Sequence, residues 1–166
     1  AADRGRLVIA EMALGLALAM PPKAKPEPPA KCKDKTALML WDAGFRGEKN
    51  RIAWSLTWRE SRHQNLVPGH PQYNGSDVGI WQTNRGAHGG ASWWSESAMR
   101  NPERQSRIVY RVVSKRGTYW RPWGLTPDGR GMDTSHYSMW SPSTQWAWIW
   151  QPYAYARSIY PKACAR

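Results

Sequence analysis

The first apolar run of the chain spans residues 7–20, where Glu11 is the only charged residue. Its 14 residues are too few to cross a bilayer, which needs about 20, so no transmembrane segment is expected. The run predicts a helix that docks on another surface or another chain. A remnant of a targeting signal, flanked by Arg4 and Arg6, is the alternative.

A pattern of helical period covers residues 47–61. Ile52 and Leu56 lie one turn apart on its apolar face, and the next position on that face is Glu60. Burial and the negative end of the helix dipole both favour the protonated form of such a carboxyl group. A carboxylic acid that keeps its proton near neutral pH is what general acid catalysis requires, although a glutamate at a helix end is more commonly a surface residue.

A short hairpin is predicted over residues 74–84, where a turn at 74–76 precedes an alternating stretch. We expect Asp77 to project from a solvated turn and to stay ionised, in contrast to Glu60. Two carboxyl groups in different protonation states are the pair that glycosidic bond hydrolysis uses. The alternative is a local role in which Asp77 binds the backbone of its own turn.

Residues 101–115 are predicted to form a helix that starts at an Asn101 N-cap, followed by a proline. Its basic face contains Arg104, Arg107, Arg111 and Lys115, and its apolar face contains Ile108, Val109, Val112 and Val113. The basic face is either an ordinary solvated surface or a contact for a polyanion.

The proline content divides the chain. Five prolines within residues 21–30 predict an extended spacer. We therefore expect an apolar helix or tether at residues 1–20, a proline-rich linker at 21–35 and a folded domain at 36–166.

Cysteine and histidine spacing gives no metal-binding signal. Cys32 and Cys164 are the only cysteines, and the four histidines show no HExxH or paired spacing, so we expect no metal and no cofactor. The two cysteines are either free or paired. A bridge between them would stabilise the fold by roughly 4–5 kcal/mol in the loop-entropy estimate.

The composition is that of one folded domain with a strongly basic surface. The 166 residues have a net charge of +12, of which +7 lies after residue 95, and all 12 tryptophans occur from Trp41 onward. A basic excess of this size indicates an anionic partner, which could be nucleic acid, an acidic lipid surface or a bacterial wall.

Two stretches of the chain resemble a known family. The run Trp-Arg-Glu-Ser at 58–61, followed by Gly-Ser-Asp-Val-Gly-Ile-Trp-Gln-Thr-Asn at 75–84, is similar to the "ES" and "GSTDYGILQIN" motifs of chicken-type lysozymes. The interval from Glu60 to Asp77 also agrees with that family's interval between its two carboxylates. Soluble lytic transglycosylases and wall-degrading modules of phages and actinobacteria share part of this pattern. The resemblance covers about residues 40–125.

The resemblance implies a fold, a reaction and a site. The fold would be α+β and mainly helical, with a small β-hairpin beside the active-site cleft. Glu60 would be the general acid, and Asp77 the nucleophile or charge-stabilising carboxylate. The family positions of Gln82 and Asn84 shape the groove or contact the sugar. The tryptophans within or beside this region are either core residues or sugar contacts, since flat aromatic faces pack well against pyranose rings. The candidates for sugar contacts are Trp81, Trp93, Trp94, Trp120 and Trp123.

This sequence departs from the chicken-type pattern in two respects. Those enzymes have several disulfides, whereas two cysteines form at most one, so core packing must hold the groove. The adjacent tryptophan pair of that family corresponds here to Trp93-Trp94, displaced by a glycine-rich insertion.

Tryptophans 146, 148 and 150 lie beyond the region of resemblance and alternate with smaller or aliphatic residues. This pattern suits a strand with a tryptophan face, although Trp146 and Trp150 would also share one face of a helix. If these indoles are exposed to solvent, they would bind wall glycan. If they are covered, they would form the surface on which the N-terminal segment docks.

The leading hypothesis is a peptidoglycan-degrading muramidase, an endolysin or virion-associated lysin of phage or actinobacterial context. It would act outside the cell or on a virion, with bacterial peptidoglycan as its partner and residues 7–20 as a contact for another chain or virion component. The alternatives are a lytic transglycosylase that uses Glu60 alone and a non-catalytic wall-binding or virion module. We expect no specific nucleic-acid binding, since no nucleic-acid motif is present.

Overall fold

The computed structural model describes residues 25–165, and it confirms a mainly helical α+β fold with one small antiparallel sheet. The predicted N-terminal helix at residues 7–20 lies outside the described residues. The α-helices are α1 (Lys35–Ala43), α2 (Glu48–Ser61), α3 (Arg85–His88), α4 (Glu96–Met99), α5 (Pro102–Ile108), α6 (Pro142–Gln145) and α7 (Gln151–Ile159). The strands are β1 (Asp77–Val78) and β2 (Thr83–Asn84). Single turns of 3₁₀-helix lie at Arg121–Trp123, Thr134–Tyr137 and Lys162–Cys164, and π-helical turns at Val109–Val113 and Trp146–Trp150. No helix between residues 25 and 165 is both long enough and apolar enough to cross a membrane.

Helix α2 is the central element, and it begins one residue after the predicted start. It packs against α1 and α7, and its residues Ile52 and Leu56 are buried in the core as the apolar stripe predicts. The helix ends where Arg62 adopts a left-handed backbone conformation with φ 54°. Glu60 therefore lies in the last turn, as expected.

The hairpin confirms the expected placement of residues 77–84. Asp77 pairs with Asn84 and Val78 with Thr83. Buried side chains of the linking residues, Ile80 and Trp81, anchor the hairpin in the core next to Phe45.

The helix at residue 101 starts as predicted, with the Asn101 side chain accepting a hydrogen bond from the Arg104 amide. It changes to a π-helical turn at Val109 and ends at Val113, two residues before the expected end. The π-turn rotates Val112 outwards, where it is 42% exposed, so the prediction of Val112 in an apolar face is wrong. The basic residues predicted for this helix are exposed as expected, although Lys115 lies beyond its end.

The tryptophan segment is helical rather than extended. Trp146–Trp150 form a π-helical turn that joins α6 to α7, so the prediction of a strand is wrong and the helical alternative is confirmed. Trp146 and Trp148 are 51% and 72% exposed.

The described part of the linker lies against α1. Pro26 accepts a hydrogen bond from the Trp41 indole at 3.2 Å, and Lys25 pairs with Asp42 at 2.7 Å. Cys32 and Cys164 form a disulfide, which resolves the open question of their pairing. The linker is thus joined both to α1 and to the end of the chain.

A histidine beside α2 is expected to make the stability of the fold dependent on pH. The His63 ring packs on Trp54 with centroids 4.4 Å apart, and its Nε2 lies 3.0 Å from the Trp54 carbonyl oxygen. Burial lowers the pKa of His63, although the Trp54 hydrogen bond and the Asp34 charge act in the opposite direction.

Because the unfolded chain binds a proton at His63 more readily than the folded chain, the free energy of unfolding should fall as the pH decreases below about 6.5. His63→Asn is expected to make the free energy of unfolding less dependent on pH. Asparagine suits this position because it tolerates the positive φ of 62°. Urea unfolding at several values between about pH 7.5 and 5 measures the effect. Parallel profiles for the two proteins would contradict it.

Candidate active site

The predicted acid, Glu60, lies in the last turn of α2, and its side chain is 24% exposed. The Arg59 guanidinium contacts it, with Nε donating to Oε1 at 2.9 Å and a terminal nitrogen forming an ion pair with the same oxygen. The helix stripe predicts apolar surroundings for Glu60, but the Arg59 guanidinium makes these surroundings partly polar. Arg59 fixes the direction of the Glu60 carboxyl group.

Arg59 also joins helix α2 to the C-terminal part of the chain. Its side chain is 7% exposed, and one terminal nitrogen donates to the Trp123 carbonyl at 2.9 Å and approaches the Ile149 carbonyl at 3.4 Å. A buried guanidinium requires such partners because an unpaired charge in the interior is costly. The sequence around Arg59 does not predict this role, since no local pattern indicates these distant partners.

Ser61, the second residue of the "ES" pair, connects α2 to the hairpin. Its hydroxyl is buried and lies 2.8 Å from the Ile80 carbonyl oxygen. The backbone that follows Glu60 is thereby fixed relative to the residues that follow Asp77.

The second predicted carboxylate, Asp77, is half-buried at the start of β1. One oxygen accepts a hydrogen bond from the Asn74 amide and the other from the Asn84 amide, both at 2.7 Å. Hydrogen bonds to both oxygens orient the carboxylate. Asp77 thus braces the hairpin through side-chain partners. The alternative prediction, that its carboxylate binds the backbone of its own turn, is wrong, because the Asn74 side-chain oxygen accepts from the Ser76 and Asp77 amides instead.

Gln82 and Asn84 shape the hairpin through their own hydrogen bonds. The Gln82 amide donates to the Gly79 carbonyl at 2.7 Å, and Gln82 has a positive φ of 47° in the turn. Asn84 caps α3 by accepting from the Ala87 amide at 2.8 Å. Both side chains hold the local backbone in place, and both line the cleft.

Gln105, on α5, supports the hairpin from below and was not predicted. Its side chain is fully buried, and Nε2 donates to the Val78 carbonyl at 2.7 Å and to the Thr83 hydroxyl at 2.6 Å. The two partners belong to the two strands. The sequence signal for this role is a polar residue at position 105, one helical turn before the apolar Val109.

The two carboxylates line one cleft of about 680 Å³. Its lining combines the end of α2, the hairpin with α3, and residues between 113 and 137. The lining residues are Glu60, Asn74, Asp77, Trp81, Gln82, Thr83, Asn84, Ala87, His88, Val113, Pro122, Trp123 and Tyr137. A cleft of this volume with few charged groups suits a small part of an extended ligand.

The predicted tryptophans are divided between cleft and core. Trp81 and Trp123 line the cleft, although little of either is exposed. Trp120 is fully buried, with its ring 5.8 Å from Phe45, so its prediction as a sugar contact is wrong. Core packing explains this position, since the domain buries a cluster of large aromatic side chains.

Trp93 and Trp94 are half-buried and do not line the cleft. The Trp93 ring lies 5.3 Å from His88, which is a cleft residue, and 6.2 Å from the Trp94 ring. The His88 side chain thus lies between the tryptophan pair and the cleft.

Tyr137 is a cleft residue beyond the region of family resemblance, and no sequence signal indicated it. Its hydroxyl donates to the Pro122 carbonyl at 3.1 Å. Burial raises the pKa of Tyr137, with the positive charge of Arg59 opposing and the negative charge of Glu60 adding to this effect. Tyr137 is therefore a neutral phenol within electrostatic range of the candidate acid.

Metal ligands are not assembled in the described part of the chain. Among residues 25–165, histidine, cysteine, aspartate and glutamate side chains do not gather in groups of three that could hold a metal ion.

Comparison with known proteins gives one match. A family model described as a lysozyme-like domain matches residues 37–125, which include most of α1, all of α2, the hairpin, Gln105 and Trp123. No curated protein and no solved structure matches the chain. The chain belongs to the lysozyme-like domains, a peptidoglycan-acting family of muramidases and transglycosylases.

Proposed function

We propose that the protein is a muramidase that hydrolyses the β-1,4 bond between N-acetylmuramic acid and N-acetylglucosamine in the bacterial wall. The observation that supports this reaction is that Glu60 and Asp77 line the same cleft. Glycosidases with two carboxyl groups place them around the scissile bond, one as acid and one as base or nucleophile.

Glu60 is the general acid in this proposal and protonates the oxygen of the departing sugar. The step requires Glu60 in its proton-bound form. A glycan bound in the cleft excludes water from the place where the proton is transferred. Arg59 is a positioning residue that keeps the carboxyl group in one direction.

Asp77 supplies the negative charge that stabilises the oxocarbenium-like transition state. The amides of Asn74 and Asn84 hold it in place before substrate binds, so little reorganisation is needed. The same two hydrogen bonds favour a second candidate reaction. If Asp77 serves only to brace the hairpin, Glu60 acts alone and the enzyme is a lytic transglycosylase.

The products distinguish the two reactions. Hydrolysis in ¹⁸O-labelled water should give reducing-end sugars that contain the label, whereas a transglycosylase releases 1,6-anhydro ends without it. Mass spectrometry of digested sacculi measures both. A preparation that binds sacculi and releases no sugar of either kind would indicate a non-catalytic wall-binding module.

We expect Asp77→Asn to lower the rate of hydrolysis by about 100-fold, because the amide has no charge with which to stabilise the transition state. The variant keeps the size of the side chain, and thermal melting should show that it remains folded. If the products are anhydro sugars and Asp77→Asn reacts at the parental rate, the proposed muramidase activity is wrong and the enzyme is a lytic transglycosylase.

We further propose that the protein acts outside the cell, as a phage or actinobacterial lysin. The disulfide is compatible with an oxidising, extracellular setting. The net charge of +12 would hold the enzyme on an anionic wall in a salt-dependent manner.

A further inference from the structure

A second groove adjoins the cleft at the candidate acid. Its volume is about 230 Å³, and its lining residues are Arg59, Glu60, Tyr137, Trp140, Trp148 and Ile149. Glu60 and Tyr137 line the cleft and this groove alike. We call it the tryptophan groove. It consists mostly of residues beyond the family match, which ends at residue 125.

The tryptophan groove displays two indoles to solvent. Trp148 is 72% exposed and Trp140 39% exposed. The Trp140 ring stacks on Tyr137, with centroids 5.0 Å apart and planes at 30°. Large exposed aromatic side chains that are grouped in this way mark binding surfaces, and their flat faces match the apolar faces of pyranose rings.

The groove is held in place from behind. Gln145 is buried, and its Nε2 donates to the Tyr137 carbonyl at 3.0 Å and to the Trp140 carbonyl at 2.9 Å. Ile149 is buried next to Trp148 in the chain, and its carbonyl faces Arg59. Binding therefore requires little ordering of the backbone, which favours affinity.

We propose that Trp140 and Trp148 form a sugar subsite for the peptidoglycan glycan strand on the side of Glu60 away from the hairpin. A general acid acts on an oxygen between two sugars, so a strand bound in the cleft continues past Glu60, and the tryptophan groove begins there. This proposal rests on the proposed function for the identity of the strand.

Binding can be measured without catalysis in a Glu60→Gln background. The probe is a soluble, peptide-free strand of alternating N-acetylglucosamine and N-acetylmuramic acid, titrated calorimetrically at low temperature. Trp148→Ala is expected to weaken binding about tenfold, the loss of one ring contact. Trp146→Ala is the matched control, since Trp146 is 51% exposed, belongs to the same π-helical turn and lines none of the grooves described above.

Equal effects of the two variants, or no binding of the strand by the Glu60→Gln parent, would overturn the subsite. Self-association that Trp148→Ala abolishes, measured by sedimentation, would also overturn it and make the face an interface between copies. The result is separable from the catalytic assignment. If Trp148→Ala alone weakens binding while Glu60→Gln still cleaves walls, the subsite stands and the assignment of Glu60 as the acid fails.

Discussion

Glu60→Gln is expected to reduce wall lysis by about 1000-fold or more. The amide has no proton that it can give to the leaving oxygen, and positioned general acids contribute roughly 10²- to 10⁴-fold to such reactions. The substitution keeps the size of the side chain, and its amide oxygen can still accept the Arg59 hydrogen bond. The buried Arg59 loses its counter-ion but keeps its bond to the Trp123 carbonyl, so we expect the free energy of unfolding to fall by about 1–3 kcal/mol. Lysis is therefore compared at a temperature at which the variant is folded.

Glu96→Gln is the matched control for this experiment. Glu96 is also a helical glutamate paired with arginines, since it contacts Arg85 and Arg100, but it does not line the cleft. We expect this variant to lyse walls like the parent. Turbidity of a sacculus suspension measures both rates, and parental activity in Glu60→Gln would remove Glu60 from the catalytic role.

The elements nearest the candidate site follow from local patterns in the sequence. Helix α2 has an apolar stripe through Ile52 and Leu56, and the hairpin has a turn followed by alternation, so each is specified within about fifteen residues. The positions of Glu60 at a helix end and Asp77 at a strand start need no distant information. The family resemblance covers this same part of the chain.

Other features depend on contacts between distant residues, which a local pattern does not specify. Arg59 meets the carbonyls of Trp123 and Ile149 only after the chain has folded back on itself. Trp120 shares its residue type with the cleft tryptophans, and only the folded structure shows that it is fully buried and does not line the cleft. The π-helical turn at Val109–Val113 adds a residue to the helical turn and shifts the faces that a regular helix predicts.

Gly79, in the hairpin, also makes close contacts with residues that are distant in the sequence, and the sequence alone does not indicate them. Gly79 has a φ of +80°, and its amide donates to the Leu66 carbonyl at 2.7 Å. A β-carbon at this position would lie 2.3 Å from the Gln105 side-chain oxygen and 2.5 Å from the Met99 carbonyl oxygen. Neither neighbour can move at low cost, because the Gln105 side chain is hydrogen-bonded to both strands and the Met99 oxygen belongs to the backbone.

Gly79→Ala is therefore expected to lower the free energy of unfolding by about 3–5 kcal/mol, from backbone strain at positive φ together with overpacking. Gly75→Ala separates these contributions, since Gly75 has a φ of +89° and nothing within 4 Å of the added carbon. It should lose only about 1 kcal/mol. Urea unfolding of both variants measures the difference, and equal losses would show that the close approach to Gln105 does not exist. Lysis at a temperature where Gly79→Ala is still folded should also fall, because Asp77 is two residues away on the strand that the added carbon displaces.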